Sequence, residues 1–136
     1  MTNQNPKTVA TAYFDALGAG DVATAMGLLS PSVAWHQPGD NQFSGVHTGI
    51  EAVGAVIGGM MQVSRGTFAL TVSGAMMTNG ESVAVPVRFT GERDGAVMDM
   101  AGVDLLTIRD GKIAEVHLYS EDPPAEDAFW GAAASR

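Results

Sequence analysis

Residues 79–119 read NGESVAVPVRFTGERDGAVMDMAGVDLLTIRDGKIAEVHLY, and this run decides the fold. Apolar residues alternate through Val83, Val85, Val87 and Phe89, again through Met98, Met100, Leu106 and Ile108, and return from Ile113 to Tyr119. A period of two puts one row of side chains on each face of a strand. Asn79-Gly80, Asp94-Gly95 and Asp110-Gly111 separate the runs, and such pairs tolerate the positive φ angles of tight hairpin turns. With the alternation of Phe68, Leu70 and Val72 upstream, the pattern predicts three successive hairpins in a four-stranded antiparallel meander. Pro86 has no N–H to donate, so it marks a sheet edge or a bulge in the second strand.

Upstream of the meander the period lengthens. From Pro6 to Leu17, Val9, Tyr13 and Leu17 with Ala10 and Phe14 form one helical stripe, opened by Asn5-Pro6 and stopped at Gly18, which turns Tyr13 inward. Asp21 caps a second short helix carrying Val22, Ala25, Met26, Leu28 and Leu29 up to a break at Ser30-Pro31. Val33–Gln37 reads as a short strand ended by Pro38-Gly39, and residues 40–49 read as turns. A third helix runs from Ile50 to about Val63 with Val53, Val56, Ile57, Met60 and Met61 on it. Gly58 and Gly59 each weaken that helix by about 1 kcal/mol relative to alanine, so close packing must hold it. The tail, Pro123 to Arg136, carries one or two helical turns around Phe129 and Trp130 before a polar Ser135-Arg136 end. The order is that of one α+β domain over residues 1–136, with helices on one face of a curved sheet and the other face free to pair with a second copy.

Composition narrows the function. A chain of 136 residues that is 46% hydrophobic buries a core without staples, and the absence of cysteine removes disulfides, thiolate metal sites and a cysteine nucleophile. A net charge of -8 repels phosphate backbones and anionic lipid, which excludes nucleic acid and membrane surfaces as expected partners. Met1–Lys7 lacks the charge and apolar run of a signal peptide, and no stretch approaches the ~18 apolar residues of a membrane span, so a cytoplasmic protein is expected. A charged fraction of 16%, below the usual ~25%, points to an apolar cavity, a subunit interface, or both.

Asp104 is the most informative residue, because it shares a strand row with Met98, Met100, Gly102, Leu106 and Ile108. A carboxyl on that face loses hydration, holds its proton more tightly and can donate to an oxyanion or pass a proton. The opposite row, with Val97, Val103 and Leu105, is apolar too, so a carboxylate paired with an arginine or turned to solvent stays open. Tyr13 is either a core aromatic or a buried donor. His36 and Gln37 end a strand where side chains point into a cleft mouth or stabilise a turn, and Asp40 and Asn41 read as turn formers. The histidines at 36, 47 and 117 have no metal-ligand spacing, so no metal is expected. A Gly-x-Ser-x-Gly elbow and a phosphate loop are both missing. The eight methionines read as core filler or as the lining of an irregular apolar cavity, and Glu121, Asp122, Glu126 and Asp127 as a solvated acidic face.

Together, Tyr13–Asp21, Trp35-His36-Gln37-Pro38-Gly39, Phe43–Gly49 and Asp104–Ile113 resemble the NTF2-like superfamily, and within it the SnoaL-like polyketide cyclases and ketosteroid isomerase relatives. The resemblance implies a cone-shaped barrel: a curved, mostly antiparallel sheet wrapped by three N-terminal helices around an apolar pocket, paired as a homodimer through the sheet's outer face. Tyr13 falls where the isomerase carries its oxyanion-hole tyrosine, and Asp104 where it carries the protonated aspartic acid sharing that hole. In the SnoaL-like cyclases the aspartate at this position is the general acid/base. The isomerase's proton-shuttling aspartate aligns with Gln37, which takes no proton at neutral pH, so His36 or Asp40 would have to substitute. The limonene epoxide hydrolase pattern of Arg-x-Asp with a second aspartate meets Gly102, Asp104 and Leu118 here, and two of its three members are missing.

The expectation is thus a cofactor-independent general acid/base enzyme, a cyclase or isomerase, acting on a small apolar oxygenated metabolite. Asp104 is the acid/base, Tyr13 the hydrogen-bond donor, and His36 or Gln37 the orienting group. Trp35, Asp40, Asn41, Met60, Met98, Met100 and Leu118 are the expected substrate contacts. The alternatives are a non-catalytic small-molecule-binding dimer and an epoxide-opening enzyme with a non-standard site.

Overall fold

The computed structural model describes residues 5–131; the readings made on residues 1–4 and on Ser135-Arg136 lie outside them. The chain runs α1 (Pro6–Gly18), α2 (Val22–Gly27), β1 (Leu29–Gln37), β2 (Gly45–Thr48), α3 (Ile50–Val63), β3 (Ala69–Val72), β4 (Met77–Asn79), β5 (Ser82–Arg93), β6 (Ala96–Arg109), β7 (Lys112–Ser120) and α4 (Pro123–Trp130). One sheet has the order β2-β1-β7-β6-β5-β3, with β4 also on β5. Its pairs are antiparallel except β1 with β7, which run parallel.

The meander forms as its sequence dictates. Asp94 and Gly95 take φ of 46° and 82°, Asp110 and Gly111 take 52° and 76°, and these paired positive values are what two-residue hairpin loops require. The expected first strand is divided into β3 and β4, which both pair with β5. Pro86 sits opposite the division, where the Ser73 N–H donates to its carbonyl at 2.9 Å. An antiparallel residue points its nitrogen and its carbonyl to the same side. Proline's missing donor therefore falls where the partner strand is interrupted, and β5 stays interior.

Three boundaries differ from the sequence reading. α2 stops at Gly27, because Leu29 pairs with Ile113 and begins β1 ahead of Ser30-Pro31. The β1 to β7 register shifts between Leu29 and Ala34, and that irregularity accommodates Pro31. β2 lies within the turn-rich segment as an edge strand, mostly exposed, so it carries no apolar alternation to read. The three N-terminal helices are joined by α4, which packs on β6 and completes the wrapping of the sheet.

Burial settles strand parity. Val83, Val85, Val87, Met98, Met100, Asp104, Leu106, Ile108, Ile113 and Val116 are buried on the concave face, whereas Val97 is 70% and Tyr119 56% exposed on the convex face. The side chain of Asn5 caps α1 by accepting from the Lys7 N–H at 2.8 Å. Asp21 caps α2 through Thr24. Gly59 earns its place in α3 by contact: a Cβ there would stand 2.8 Å from the Phe43 ring. Among the described residues no helix is long and apolar enough to cross a membrane.

Candidate functional site

The concave face and the helices enclose an apolar cavity of about 390 Å³. α1 contributes Tyr13 and Leu17, β1 contributes Trp35 and Gln37, α3 contributes Met60, and the sheet contributes Phe89, Asp104 and Leu118. From α4 comes Glu126, the residue sequence reasoning missed.

Three proton-bearing groups meet this cavity in nearly dry surroundings. Tyr13 is 1%, Glu126 6% and Asp104 7% exposed. Burial, reinforced by the negative charge of Glu126, pushes the Asp104 carboxyl up to about 7. Burial also raises Glu126, although the hydrogen bond from the Trp130 indole N–H to Oε2, 3.1 Å long, opposes the rise. Burial, then the nearby Asp104 charge, raises the Tyr13 phenol, which stays a donor at any ordinary pH. Among the described residues no hydrogen bond is made by the Tyr13 hydroxyl or the Asp104 carboxyl, and neither is a sealed unsatisfied group. Their donor capacity is open to whatever enters. Because Asp104 and Glu126 repel when both are charged, they titrate as a pair.

Gln37 is fixed by the Trp35 indole N–H, which donates to Oε1 at 2.9 Å, so the amide N–H groups are what Gln37 can offer a ligand. Trp35, Met60 and Leu118 line the cavity, whereas Asp40, Asn41, Met98 and Met100 of the expected contacts lie outside its lining. Met98 and Met100 are buried in the core behind the lining, and the Met100 sulfur accepts from the Ser120 hydroxyl at 3.3 Å. His36 falls between two cavity-facing residues of a strand, and parity turns it to the convex face, where it stacks on His117. Asp40 is exposed, with its backbone N–H donating to Asp127 Oδ1 at 2.9 Å. Asn41 is buried but holds the turn, donating from Nδ2 to Asp127 Oδ1 at 2.8 Å and accepting from the Phe43 N–H at 2.9 Å.

The acidic face is accordingly corrected. Glu121 and Asp122 are exposed, Asp127 pins the 40–44 turn to α4, and Glu126 is buried in the cavity wall. The histidine spacing also concealed a grouping, since His36, Glu115 and His117 come together across strands. Gly102 bears on the epoxide-opening alternative. A Cβ there would stand 2.5 Å from the Tyr119 carbonyl and 2.8 Å from the Phe89 ring, so the arginine of that pattern has no room.

Residues 10–116 match the model of the SnoaL-like domain family. An uncharacterised protein of Mycobacterium tuberculosis is 29% identical over 131 residues, covering 96% of this chain and 99% of its own. The crystal structure of a Xanthomonas campestris protein of unknown function with a cystatin-like fold superposes with a TM-score of 0.90 at 48% identity, over 94% of this chain and 99% of that one. The structure of TerC co-crystallised with polyporic acid superposes with a TM-score of 0.80 at 18% identity, over 91% and 96%, which shows a shared fold.

Proposed function

The chain belongs to the SnoaL-like domain family, and from that premise we propose that it is a general acid/base enzyme, a cyclase or isomerase, working on a small apolar oxygenated metabolite in the cytoplasm. One observation carries the reading: an apolar cavity holds a donor phenol, a carboxyl that keeps its proton to about neutral pH, and a second buried carboxyl whose charge acts on the first. Two carboxyls in unlike surroundings, one of them bonded by an indole N–H, can divide into an acid and a base. Glu126 supplies the base that Gln37 cannot be, and it does so from a helix beyond the end of the family match at residue 116.

A substrate carbonyl oxygen accepts from the Tyr13 hydroxyl and the Asp104 carboxyl. Glu126 takes the α-proton, the electron pair moves into the carbonyl, and the charge gathering on oxygen is held by the two donors. Return of the proton from Glu126 to a different carbon is isomerisation. For ring closure, the enolate carbon adds to a second carbonyl whose oxygen takes the proton of Asp104; Glu126 then gives up the α-proton to water and Asp104 takes one back, which restores the starting state. TerC, of the same fold, was crystallised with polyporic acid, which supports a cavity suited to small oxygenated ligands.

Exchange of the α-hydrogens of β-tetralone in heavy water, followed by proton NMR, tests the acid/base step without the natural substrate. The wild-type protein is expected to accelerate exchange above buffer, with Glu126→Gln slower by about 10²–10⁴-fold. An unaffected Glu126→Gln would remove the base assignment. Binding of the ketone without exchange would favour the non-catalytic binding module.

The convex face supports pairing with a second copy, because Val97, Val103 and Tyr119 stand exposed on it. A dimer is expected by light scattering, with Val103→Lys/Tyr119→Asp converting it to a monomer; a monomeric wild-type chain would contradict the pairing.

A further inference from the structure

A second cluster of ionisable side chains stands on the convex face, separate from the cavity. β1 and β7 lie side by side and parallel, with His36 directly opposite His117. Their chain neighbours Trp35, Gln37 and Leu118 line the cavity, so both histidines point the other way. Glu115, two residues before His117, shares that face. A ring nitrogen from each histidine and a carboxylate oxygen of Glu115 all lie within 4.8 Å of one another. His117 Nε2 is 3.1 Å from Glu115 Oε1, and the two imidazoles stack with centroids 3.9 Å apart and planes 10° apart.

We propose that His36, Glu115 and His117 form a binding site for a divalent transition metal ion of the zinc class, with water completing the coordination. Two imidazole nitrogens and one carboxylate oxygen are a donor set for zinc, nickel or copper, whereas calcium and magnesium take oxygen ligands. Three protein ligands with an open fourth position make a familiar tetrahedral arrangement. The scaffold suits it, because two ligands sit at i and i+2 of one strand and the third lies across from one of them on a hydrogen-bonded neighbour. The side chains of Glu115 and His117 are 37% and 35% exposed, so an ion reaches them from solvent.

Binding requires a small rearrangement. Ligand atoms around a tetrahedral zinc stand about 3.3 Å apart, and two parallel rings cannot both aim an in-plane lone pair at one ion. At least one imidazole must therefore turn. His36 is free to do so, since among the described residues its ring makes no hydrogen bond, and the ring of His117 bonds to Glu115 alone, itself a ligand.

Tag-free protein stripped with a chelator and titrated with zinc chloride in a calorimeter is expected to take up one ion per chain. Ring-nitrogen NMR should show His36 and His117 moving, while His47, held by the Phe43 carbonyl at 2.8 Å, stays still as the internal control. His117→Ala and Glu115→Gln should each weaken zinc binding at least about tenfold, while ketone exchange, which uses the cavity, keeps its wild-type rate. The same titration on Val103→Lys/Tyr119→Asp separates occlusion by a second copy from lack of a site, and uptake by that variant alone supports the site. Failure of both proteins to bind zinc saturably, or an affinity that survives loss of both histidines, would overturn the proposal.

Discussion

Asp104→Asn is expected to abolish α-hydrogen exchange, by about 10²–10⁴-fold, while making the protein more stable above neutral pH. The two effects share one cause. In the folded chain the carboxyl is pushed up to about 7 from its ordinary 3.8, burial first and the Glu126 charge second. The folded state therefore binds this proton more tightly than the unfolded chain does. Its contribution to stability is fully present below the unfolded value and is lost as pH rises through about 7. The difference between the two pKa values corresponds to roughly 4 kcal/mol, the cost of a buried carboxylate in alkaline solution. Asparagine has the same shape and no charge to bury. Thermal unfolding of both proteins across pH should show matching Tm values near the unfolded pKa and a gap in favour of Asp104→Asn that widens toward pH 8. A gap that stays constant with pH would mean that Asp104 is not held protonated.

Trp130→Ala is expected to cost about 3–5 kcal/mol in urea unfolding. Trp130 has 0% exposure and makes edge contacts with Phe43, Phe68 and Phe129 at centroid distances of 5.3, 5.3 and 4.9 Å. Its N–H also orients Glu126, so truncation opens the aromatic cluster and releases the base. Trp130→Phe separates these roles. It retains most of the packing and removes the donor that opposes the upward shift of Glu126, so the base limb of the exchange profile should move to higher pH with a smaller stability loss. A Trp130→Ala loss under about 1 kcal/mol would contradict this role for α4.

Local periodicity made much of the molecule legible. The Asp-Gly hairpins, the stripe of α1 and the bounds of α3 follow from residues close in sequence, and they place Tyr13 and Asp104 correctly on inward faces. Glu126 was hidden because its neighbours Glu121, Asp122 and Asp127 make a charged string, and burial of one member depends on how α4 docks. A usable signal was present nonetheless. Glu126 lies four residues before Trp130, which puts it on the helix face that buries the indole. Parity also separates His36 from Gln37, since adjacent strand side chains point to opposite faces of the sheet. The meeting of His36 with His117 rests on a parallel pairing between distant strands, and no local spacing encodes it.

The most direct measurement is an NMR titration of the Asp104 carboxyl carbon, assigned by its disappearance in Asp104→Asn. A midpoint near 7 is expected, falling in Glu126→Gln because the neighbouring negative charge has gone. A midpoint below about 5 that Glu126→Gln leaves unmoved would contradict a proton held in the cavity for catalysis.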